Sequence, residues 1–329
     1  MMDITPVNAR MWARLGSRAM FGQAILALAE HDPKLMVLSA DLGNSSGLDR
    51  FKTAYPDRFL NVGIAEQNMV GVAAGLAKEG FTVFATSFAP FIALRAAEQV
   101  RMNMGYMELN VTTVAIGSGL AMGFLGNSHY GLEDAAIMRA IPNLTVVCPA
   151  DCAEIAQTVF AAARHAGPVY IRLTGGINTP IVNTDNYAFE LGKAITLRQG
   201  HDVSIVATGS MVAASLEAAS QLEQAGLSVG VINMHTLKPL DTPALQAAMA
   251  NCRLLVTVEE HSVIGGLGSA VAEFKTGLRQ APPQLLIGLP DHFGPTGDYH
   301  HLLNEYGLTA PLLAQRILRT FRDVTDTAS

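Results

Sequence analysis

The stretch that decides the fold reads Phe59-Leu-Asn-Val-Gly-Ile-Ala-Glu-Gln-Asn-Met-Val-Gly-Val-Ala-Ala-Gly-Leu-Ala77. Its apolar opening predicts a strand over Phe59–Ile64, and its second half predicts a helix over Gln67–Lys78. Glycine and alanine recur through this helix, so one face is smooth enough to pack closely against another helix. The stretch therefore predicts a strand–helix unit with Glu66 at its junction, buried at an interface.

The same alternation of short β-branched runs and longer helical stretches continues along most of the chain, which predicts mostly parallel sheets covered by helices. Further strands are predicted over Lys34–Ser39, Thr82–Thr86, Asn110–Ile116, Leu144–Cys148, Val169–Leu173, Val203–Ala207, Ser228–Asn233, Leu254–Val258 and Leu285–Leu289. Further helices are predicted over Ser17–Glu30, Pro90–Asn103, Leu132–Ala140, Cys152–His165, Met211–Ala225, Ala244–Ala250, Leu267–Thr276 and Ala310–Phe321.

The alternation breaks once, in a stretch rich in Gly, Pro, Asn and Thr that follows residue 174. The chain has 329 residues, half of them hydrophobic, which suits two domains better than one. We expect an α/β domain over residues 1–180, a linker over 181–198 and a smaller α/β domain over 199–329.

Composition excludes several classes of function. The net charge is -6 and no Lys/Arg run occurs, so a nucleic-acid partner is not expected. No apolar stretch is long enough to cross a bilayer, and the polar N-terminus does not resemble a secretory signal. The three cysteines are Cys148, Cys152 and Cys252, and no zinc-binding spacing surrounds them. These features predict reduced thiols in a cytoplasmic protein, with no metal ligands in this chain.

Glu66 has two interpretations. A carboxylate at a helix start is ordinarily a favourable partner of the helix dipole, and spacing alone favours that structural role. However, the string Gly63-Ile-Ala-Glu-Gln-Asn-Met69 resembles the glutamate motif of transketolases and 1-deoxyxylulose-5-phosphate synthases. The resemblance implies that Glu66 contacts N1′ of the aminopyrimidine of thiamine diphosphate, because a buried carboxyl group can share a proton with a ring nitrogen. It also implies a pyrimidine-binding fold followed by a transketolase C-terminal-like domain.

Two further segments extend the resemblance. Leu38-Ser-Ala-Asp-Leu42 is similar to a strand-end segment of the family, and Ser87-Phe-Ala-Pro-Phe91 is similar to the segment that holds the pyrimidine ring. Phe88 and Phe91 would form an aromatic wall for that ring, although core packing is the commoner role of phenylalanine. Arg95 follows in the same segment, and it would alternatively pair with a nearby carboxylate. The cofactor-binding residues implied by the resemblance are Ile64, Glu66, Phe88, Phe91 and Arg95.

The resemblance also implies substrate-binding residues. Gly126-Asn-Ser-His-Tyr-Gly-Leu-Glu-Asp134 is similar to a substrate loop of the family, so His129 would hydrogen-bond substrate oxygens and move protons. Arg18, Ser45 and Arg172 match the sugar-phosphate anchors, and the planar fork of arginine suits phosphate. Each of these residues could alternatively serve an ordinary structural role.

The sequence departs from the family in its substrate loop. Leu125 stands where the family has an aspartate that contacts a donor hydroxyl, and Gly117 stands where a phosphate-contacting histidine is usual. An apolar side chain cannot accept a hydrogen bond from a sugar, so we expect a different donor preference. The sequence does not indicate which ketose donor or aldose acceptor is used.

A larger departure is the lack of a Gly-Asp-Gly string, which carries a magnesium ligand in the family's diphosphate-binding domain. The resemblance therefore covers the last half of a full-length enzyme. We expect a companion chain that carries Gly-Asp-Gly and binds Mg²⁺ and the diphosphate. The assembly would be at least a dimer, with α2β2 expected, and it would transfer a two-carbon ketol unit between phosphorylated sugars.

The C-terminal part contains Leu237-Lys-Pro-Leu-Asp241 and a glycine-rich turn near Gly266, both similar to the C-terminal domain of the same superfamily. The turn is expected to serve close strand–helix packing rather than nucleotide binding. Glu260 and His261 resemble an acid/base pair, but a structural or subunit-contact role is the preferred interpretation.

Two other functions stay open at this point. A β subunit of a 2-oxo-acid dehydrogenase shares both domains and would act by decarboxylation instead of ketol transfer. A catalytically silent assembly or regulatory subunit would bind a partner through the same helix face, although such a subunit has no chemical reason to keep Glu66, His129 and the arginines.

Overall fold

The computed structural model describes residues 2–250 and 252–326 of the chain. Its strands, in chain order, are β1 (Leu35–Ser39), β2 (Phe59–Asn61), β3 (Thr82–Phe88), β4 (Val111–Ile116), β5 (Thr145–Val147), β6 (Val169–Arg172), β7 (Ile195–Arg198), β8 (Val203–Ala207), β9 (Val229–Asn233), β10 (Thr236–Lys238), β11 (Leu254–Ser262) and β12 (Gln284–Leu289).

The α-helices are α1 (Pro6–Leu15), α2 (Ser17–Ala29), α3 (Asp49–Ala54), α4 (Glu66–Lys78), α5 (Ala97–Gln99), α6 (Asp134–Ala140), α7 (Cys152–Arg164), α8 (Met211–Gln224), α9 (Thr242–Met249), α10 (Leu267–Lys275), α11 (Tyr299–Glu305) and α12 (Ala310–Asp326). Two short 3-10 turns cover Pro56–Arg58 and Gly126–Ser128, and π-helical turns cover Phe91–Arg95 and Val100–Tyr106.

The first sheet has seven strands in the order β10-β5-β6-β4-β3-β1-β2. All neighbours pair in parallel except β10, which runs antiparallel to β5. The central strands β3, β4 and β6 are almost wholly buried, because helices cover both faces. The predicted parallel α/β architecture is confirmed, while β10 is an edge strand that the sequence pattern did not indicate.

The second sheet has five strands in the order β12-β11-β8-β9-β7. It is parallel except for β7, which pairs antiparallel with β9. The expected linker over 181–198 is therefore too long, because its last four residues form this edge strand. β7 is only partly buried, so its sequence lacks the continuous apolar run that is typical of a central strand.

The predicted helix over Pro90–Asn103 is not a regular α-helix. Its π-helical turns are visible in two bonds with i→i+5 spacing, from Ala96 N–H to Phe91 O (3.2 Å) and from Met107 N–H to Met102 O (3.1 Å). Apolar periodicity does not reveal one extra residue in a turn, so the sequence predicts a helix there without showing its type. The first wide turn ends at Arg95.

The three cysteines are all buried free thiols. Within residues 2–250 and 252–326, no helix combines the length and the apolar character needed to cross a membrane.

Candidate active site

The expected site residues lie around the carboxyl ends of the first sheet's strands. The chain moves from β1 to β2 in one direction and then crosses back to β3 on the other side of β1. Such a reversal of strand order opens a crevice at the carboxyl edge of a parallel sheet, where ligands bind in this class of fold. Ser45 follows β1, Glu66 follows β2, Phe88 ends β3 and His129 follows β4.

Glu66 is the first residue of α4 and is only 1% exposed. Its helix packs on the sheet through buried apolar residues such as Met69 and Ala73, and this packing draws the carboxylate inward. Ser87 Oγ donates to Glu66 Oε1 (3.2 Å), and Arg95 Nη1 donates to Glu66 Oε2 (2.7 Å). One carboxylate is thus held at both oxygens by side chains of the β3 region.

Arg95 is placed differently from its partner, since 45% of its side chain is exposed. Its guanidinium carbon lies 4.2 Å from the centroid of the Phe91 ring, and its carbonyl accepts from Gln67 Nε2 (3.1 Å). The structure therefore contains the ion pair with a nearby carboxylate that was the alternative to cofactor binding. Cofactor contact by Arg95 remains a prediction.

Phe88, Phe91 and His129 form one aromatic cluster. The His129 ring lies edge-on to both phenylalanines, at centroid distances of 5.5 Å to Phe88 and 5.3 Å to Phe91. The two phenylalanine rings are 5.9 Å apart, and Ser128 Oγ lies 3.0 Å from His129 Nδ1. Because Phe91 also contacts Arg95, the cluster is continuous with Glu66. Five residues that the sequence singled out therefore come together.

Ile64 belongs to the exposed side of the same region. It is 76% exposed although it is large and apolar, and it follows Gly63, whose φ of 73° is in the left-handed region that favours glycine. The aromatic cluster, the buried carboxylate and this apolar side chain lie in one region, and binding of an aminopyrimidine ring there remains a prediction.

Arg18 and Ser45 meet in a separate surface cleft. Arg18 Nη1 donates to the backbone oxygen of Ser45 (3.3 Å), and Leu15, Gly47 and Ile177 complete the walls. Arg18 keeps further donors for a ligand, because a guanidinium carries five N–H groups. The structure brings these two residues together, and anion binding by them remains a prediction.

Arg172 does not match its expected role as a substrate anchor. It is 1% exposed, and its Nε donates to both carboxylate oxygens of Asp134 (2.9 and 3.0 Å). Its Nη2 donates to the carbonyl oxygens of Gly131 (2.7 Å) and Glu260 (2.8 Å). This enclosed guanidinium links Asp134, Gly131 and Glu260 in the interior. It is not accessible to a substrate phosphate in this conformation.

Glu260 and His261 have the structural role that was preferred. Glu260 Oε1 accepts from Leu120 N–H (2.6 Å), and its Oε2 accepts from Tyr299 (2.7 Å) and from Ser210. Burial raises the pKa of Glu260. Burial also lowers the pKa of His261 to about 4, which favours a neutral ring at physiological pH. The pair is enclosed in the interior, remote from solvent.

The structure accounts for Gly117, one of the two departures from the family. Its φ is +67°, and a side chain there would place Cβ 2.6 Å from Met122 Cγ and 3.3 Å from Phe88. A histidine here would be strained by the positive φ and would require the Met122 side chain to move. Leu125, the other departure, is 39% exposed beside Phe124, which is 71% exposed, so the loop presents apolar surface to solvent.

The sequence does not indicate Ser87 as a site residue, although Ser87 begins the segment Ser87-Phe-Ala-Pro-Phe91 that resembles the pyrimidine-binding region. Its signal was its position next to Phe88, because alternate residues of a strand face opposite sides. While Phe88 faces the aromatic cluster, Ser87 reaches Glu66.

Comparison with known proteins agrees with this geometry. Residues 14–177 match the transketolase pyrimidine-binding domain, and residues 192–312 match the transketolase C-terminal domain. A putative transketolase C-terminal section from Methanocaldococcus jannaschii is 40% identical over 93% of this chain and 96% of its own length. The SqwH subunit of a 6-deoxy-6-sulfo-D-fructose transketolase from Clostridium sp. (strain MSTE9) is 41% identical over 92% of each chain.

A solved structure described as a split-gene transketolase, inactive beta4 tetramer, superimposes with a TM-score of 0.84 at 43% identity. It covers 93% of this chain, and this chain covers 98% of it. Both domain matches, the length of these relatives and the residues gathered at the carboxyl edge agree. The chain is a member of the transketolase family and corresponds to its C-terminal half.

Proposed function

We propose that this chain is one subunit of a thiamine diphosphate-dependent transketolase that moves a two-carbon ketol unit between sugar phosphates. The observation that carries the proposal is the environment of Glu66. Its carboxylate is buried and doubly hydrogen-bonded, yet it lies within a continuous contact from Arg95 through Phe91 to His129. A buried acid beside an aromatic wall suits recognition of a protonated ring nitrogen.

The companion subunit is inferred from what the chain lacks and from the name of a relative. The sequence has no Gly-Asp-Gly string, and among residues 2–250 and 252–326 no three His, Cys, Asp or Glu side chains form a metal site. The related SqwH protein is named as a subunit. We infer that Mg²⁺ and the diphosphate are bound by a second chain carrying Gly-Asp-Gly, with α2β2 as the assembly.

The cofactor, when bound, supplies a nucleophilic carbon that accepts the ketol fragment. Glu66 would hold a proton at the pyrimidine nitrogen, and Ser87 would fix the orientation of its carboxyl group. Phe88 and Phe91 would exclude water from one side of the ring. His129, which is half-buried between them, would hydrogen-bond a substrate oxygen and move a proton at that oxygen.

The cleft of Arg18 and Ser45 would bind the phosphate of the sugar. The Arg18 guanidinium can donate hydrogen bonds to an anion while it keeps its bond to the Ser45 carbonyl. Leu125 provides no acceptor for a donor hydroxyl, so the preferred ketose should differ from the ordinary pentose phosphates at the carbon that approaches this loop.

The experiment is reconstitution. This chain and a companion that carries Gly-Asp-Gly are purified separately and mixed with thiamine diphosphate and Mg²⁺, and ketose donors and aldose acceptors are screened. We expect ketol transfer only from the mixture. Full activity of this chain alone would refute the two-chain proposal, and decarboxylation of 2-oxo acids without ketol transfer would favour the dehydrogenase alternative.

A further inference from the structure

The loop that carries His129 is bonded to a segment of the C-terminal part of the chain. Asn127 Nδ2 donates to the Gly294 carbonyl (2.7 Å), and the Gly294 N–H donates to Asn127 Oδ1 (3.2 Å). One side-chain amide thus pairs with both backbone groups of Gly294, as a neighbouring strand would. These two hydrogen bonds connect residues that are 167 positions apart in sequence.

Two further bonds join the same segments. Tyr130 OH donates to the Pro295 carbonyl (2.7 Å) and lies 3.2 Å from the Gly123 carbonyl. The Gly297 N–H donates to that same Gly123 carbonyl (3.0 Å). His129 stands between Asn127 and Tyr130, two residues from one and next to the other, so both of its flanks are fixed from the C-terminal part.

The contact is also sterically close. A side chain at Gly123 would collide with the Gly297 carbonyl, and one at Gly126 would collide with the Thr296 methyl group. Gly126 has a φ of +74°, which other residues rarely adopt. The two segments therefore lie in close contact at Gly123 and Gly126.

The start of the loop is held from the same direction. Glu260, on β11 of the second sheet, accepts from Leu120 N–H (2.6 Å). The loop between β4 and α6 is consequently bonded near its beginning and on both sides of His129.

We propose that Asn127 and Tyr130 are positioning residues, and that residues 294–297 hold the His129 loop in its working conformation before any ligand arrives. This inference rests on the proposed function for the role of His129, and it assigns the C-terminal part of this chain a task in the reaction. A loop that is ordered in advance does not have to lose its conformational entropy during the reaction, so its side chain is presented at lower cost.

The test combines two readouts on the full chain. Amide hydrogen exchange of the unmixed chain is compared between wild type, Asn127→Ala, Tyr130→Phe and the double variant. We expect exchange over residues 119–131 to be about 10-fold faster in the double variant, since several hydrogen bonds are lost. The strands β3 and β4 should not change. Asn186→Ala is the matched control, because Asn186 bonds to Asp3 and Ile4 at the N-terminus.

The second readout uses the reconstituted pair. The double variant should lower kcat by about 10-fold, with cofactor affinity within about 2-fold of wild type, because positioning acts on the reacting geometry. Unchanged exchange over 119–131 in the double variant, or unchanged kcat despite faster exchange, would overturn the proposal. If the wild-type pair transfers no ketol unit, the proposed function fails. The exchange result still decides whether residues 294–297 hold the His129 loop.

Discussion

Two arginine–carboxylate pairs in this molecule have nearly the same separation and opposite surroundings. Arg95 and Glu66 are 2.7 Å apart, and Arg172 and Asp134 are 2.9 Å apart. Both carboxylates are 1% exposed, but the Arg172 side chain is 2% exposed whereas Arg95 is 45% exposed. The first pair therefore lies between the interior and solvent, and the second lies wholly inside.

The difference shows which pair can exchange partners. Arg172 bonds to Asp134 and to two carbonyls, so any movement would strand several buried groups, which is costly. Arg95 has nearly half of its side chain in solvent, so the loss of its bond to Glu66 would not strand a buried guanidinium. The Glu66 pair is therefore the one that we expect to exchange partners.

The largest effect should come from Arg172→Met. Breaking a fully buried pair leaves Asp134 uncompensated, so we expect a loss of about 3–5 kcal/mol of stability and a large fall in Tm. Thermal unfolding followed by circular dichroism is the measurement, and Arg101→Met at an exposed ion pair is the matched control. A Tm equal to that of the control would break the comparison, because Arg172 would then be as replaceable as a surface residue.

Glu154 extends the comparison to a third buried carboxyl group, whose hydrogen-bond partners are uncharged. Glu154 accepts from Ala150 N–H, Tyr187 OH and Asn233 Nδ2, and burial followed by the charge of Asp151 raises its pKa from 4.5 to about 7. The folded state therefore holds the Glu154 proton more tightly than the unfolded state. Its contribution to stability is complete below pH 4.5 and is lost as the pH rises to about 7.

The corresponding experiment compares wild type with Glu154→Gln, which stays neutral. Between pH 4.5 and 8 the stability of the variant should rise relative to that of wild type by an amount smaller than the loss in Arg172→Met. The measurement is the difference in Tm between the two proteins at both ends of this range. A constant difference would show that Glu154 does not change its protonation in this range.

The smallest effect on stability should come from Arg95→Met. Because nearly half of the Arg95 side chain is exposed, its removal lets water approach the Glu66 carboxylate, so we expect a loss smaller than that of Arg172→Met, about 1–2 kcal/mol. The measurement is thermal unfolding of Arg95→Met, compared with thermal unfolding of Arg172→Met. Equal losses in the two variants would remove the distinction between them.

The architecture could be predicted because buried parallel strands read as β-branched runs separated by helical stretches. Strands β7 and β10 could not, since both pair antiparallel at a sheet edge, outside the regular alternation of strand and helix. The pairing of Thr236 in β10 with Val147 in β5 joins residues that are distant in sequence, so it depends on the tertiary fold. The π-helical turns around Phe91 were missed for a related reason, because an inserted residue leaves no periodic mark.

The candidate site was partly predictable. Glu66, Phe88, Phe91 and His129 were indicated by local strings, and the structure places them in one region. Arg172 is enclosed instead of facing the site, and a short string cannot reveal that Asp134, 38 positions away, bonds to the guanidinium. The bonds of Asn127 and Tyr130 to residues 294–297 depend on tertiary packing, so no local pattern could indicate them.

The most direct measurement of the central claim is turnover by the reconstituted pair with Glu66→Gln in this chain. The amide keeps the size of the side chain but lacks an ionisable carboxyl group. The account predicts that the variant assembles and binds thiamine diphosphate while ketol transfer falls by about 100-fold or more. Glu98→Gln, at an exposed carboxylate, should retain full activity. Turnover by Glu66→Gln within about 2-fold of wild type would contradict the assignment of Glu66 as the proton-holding residue.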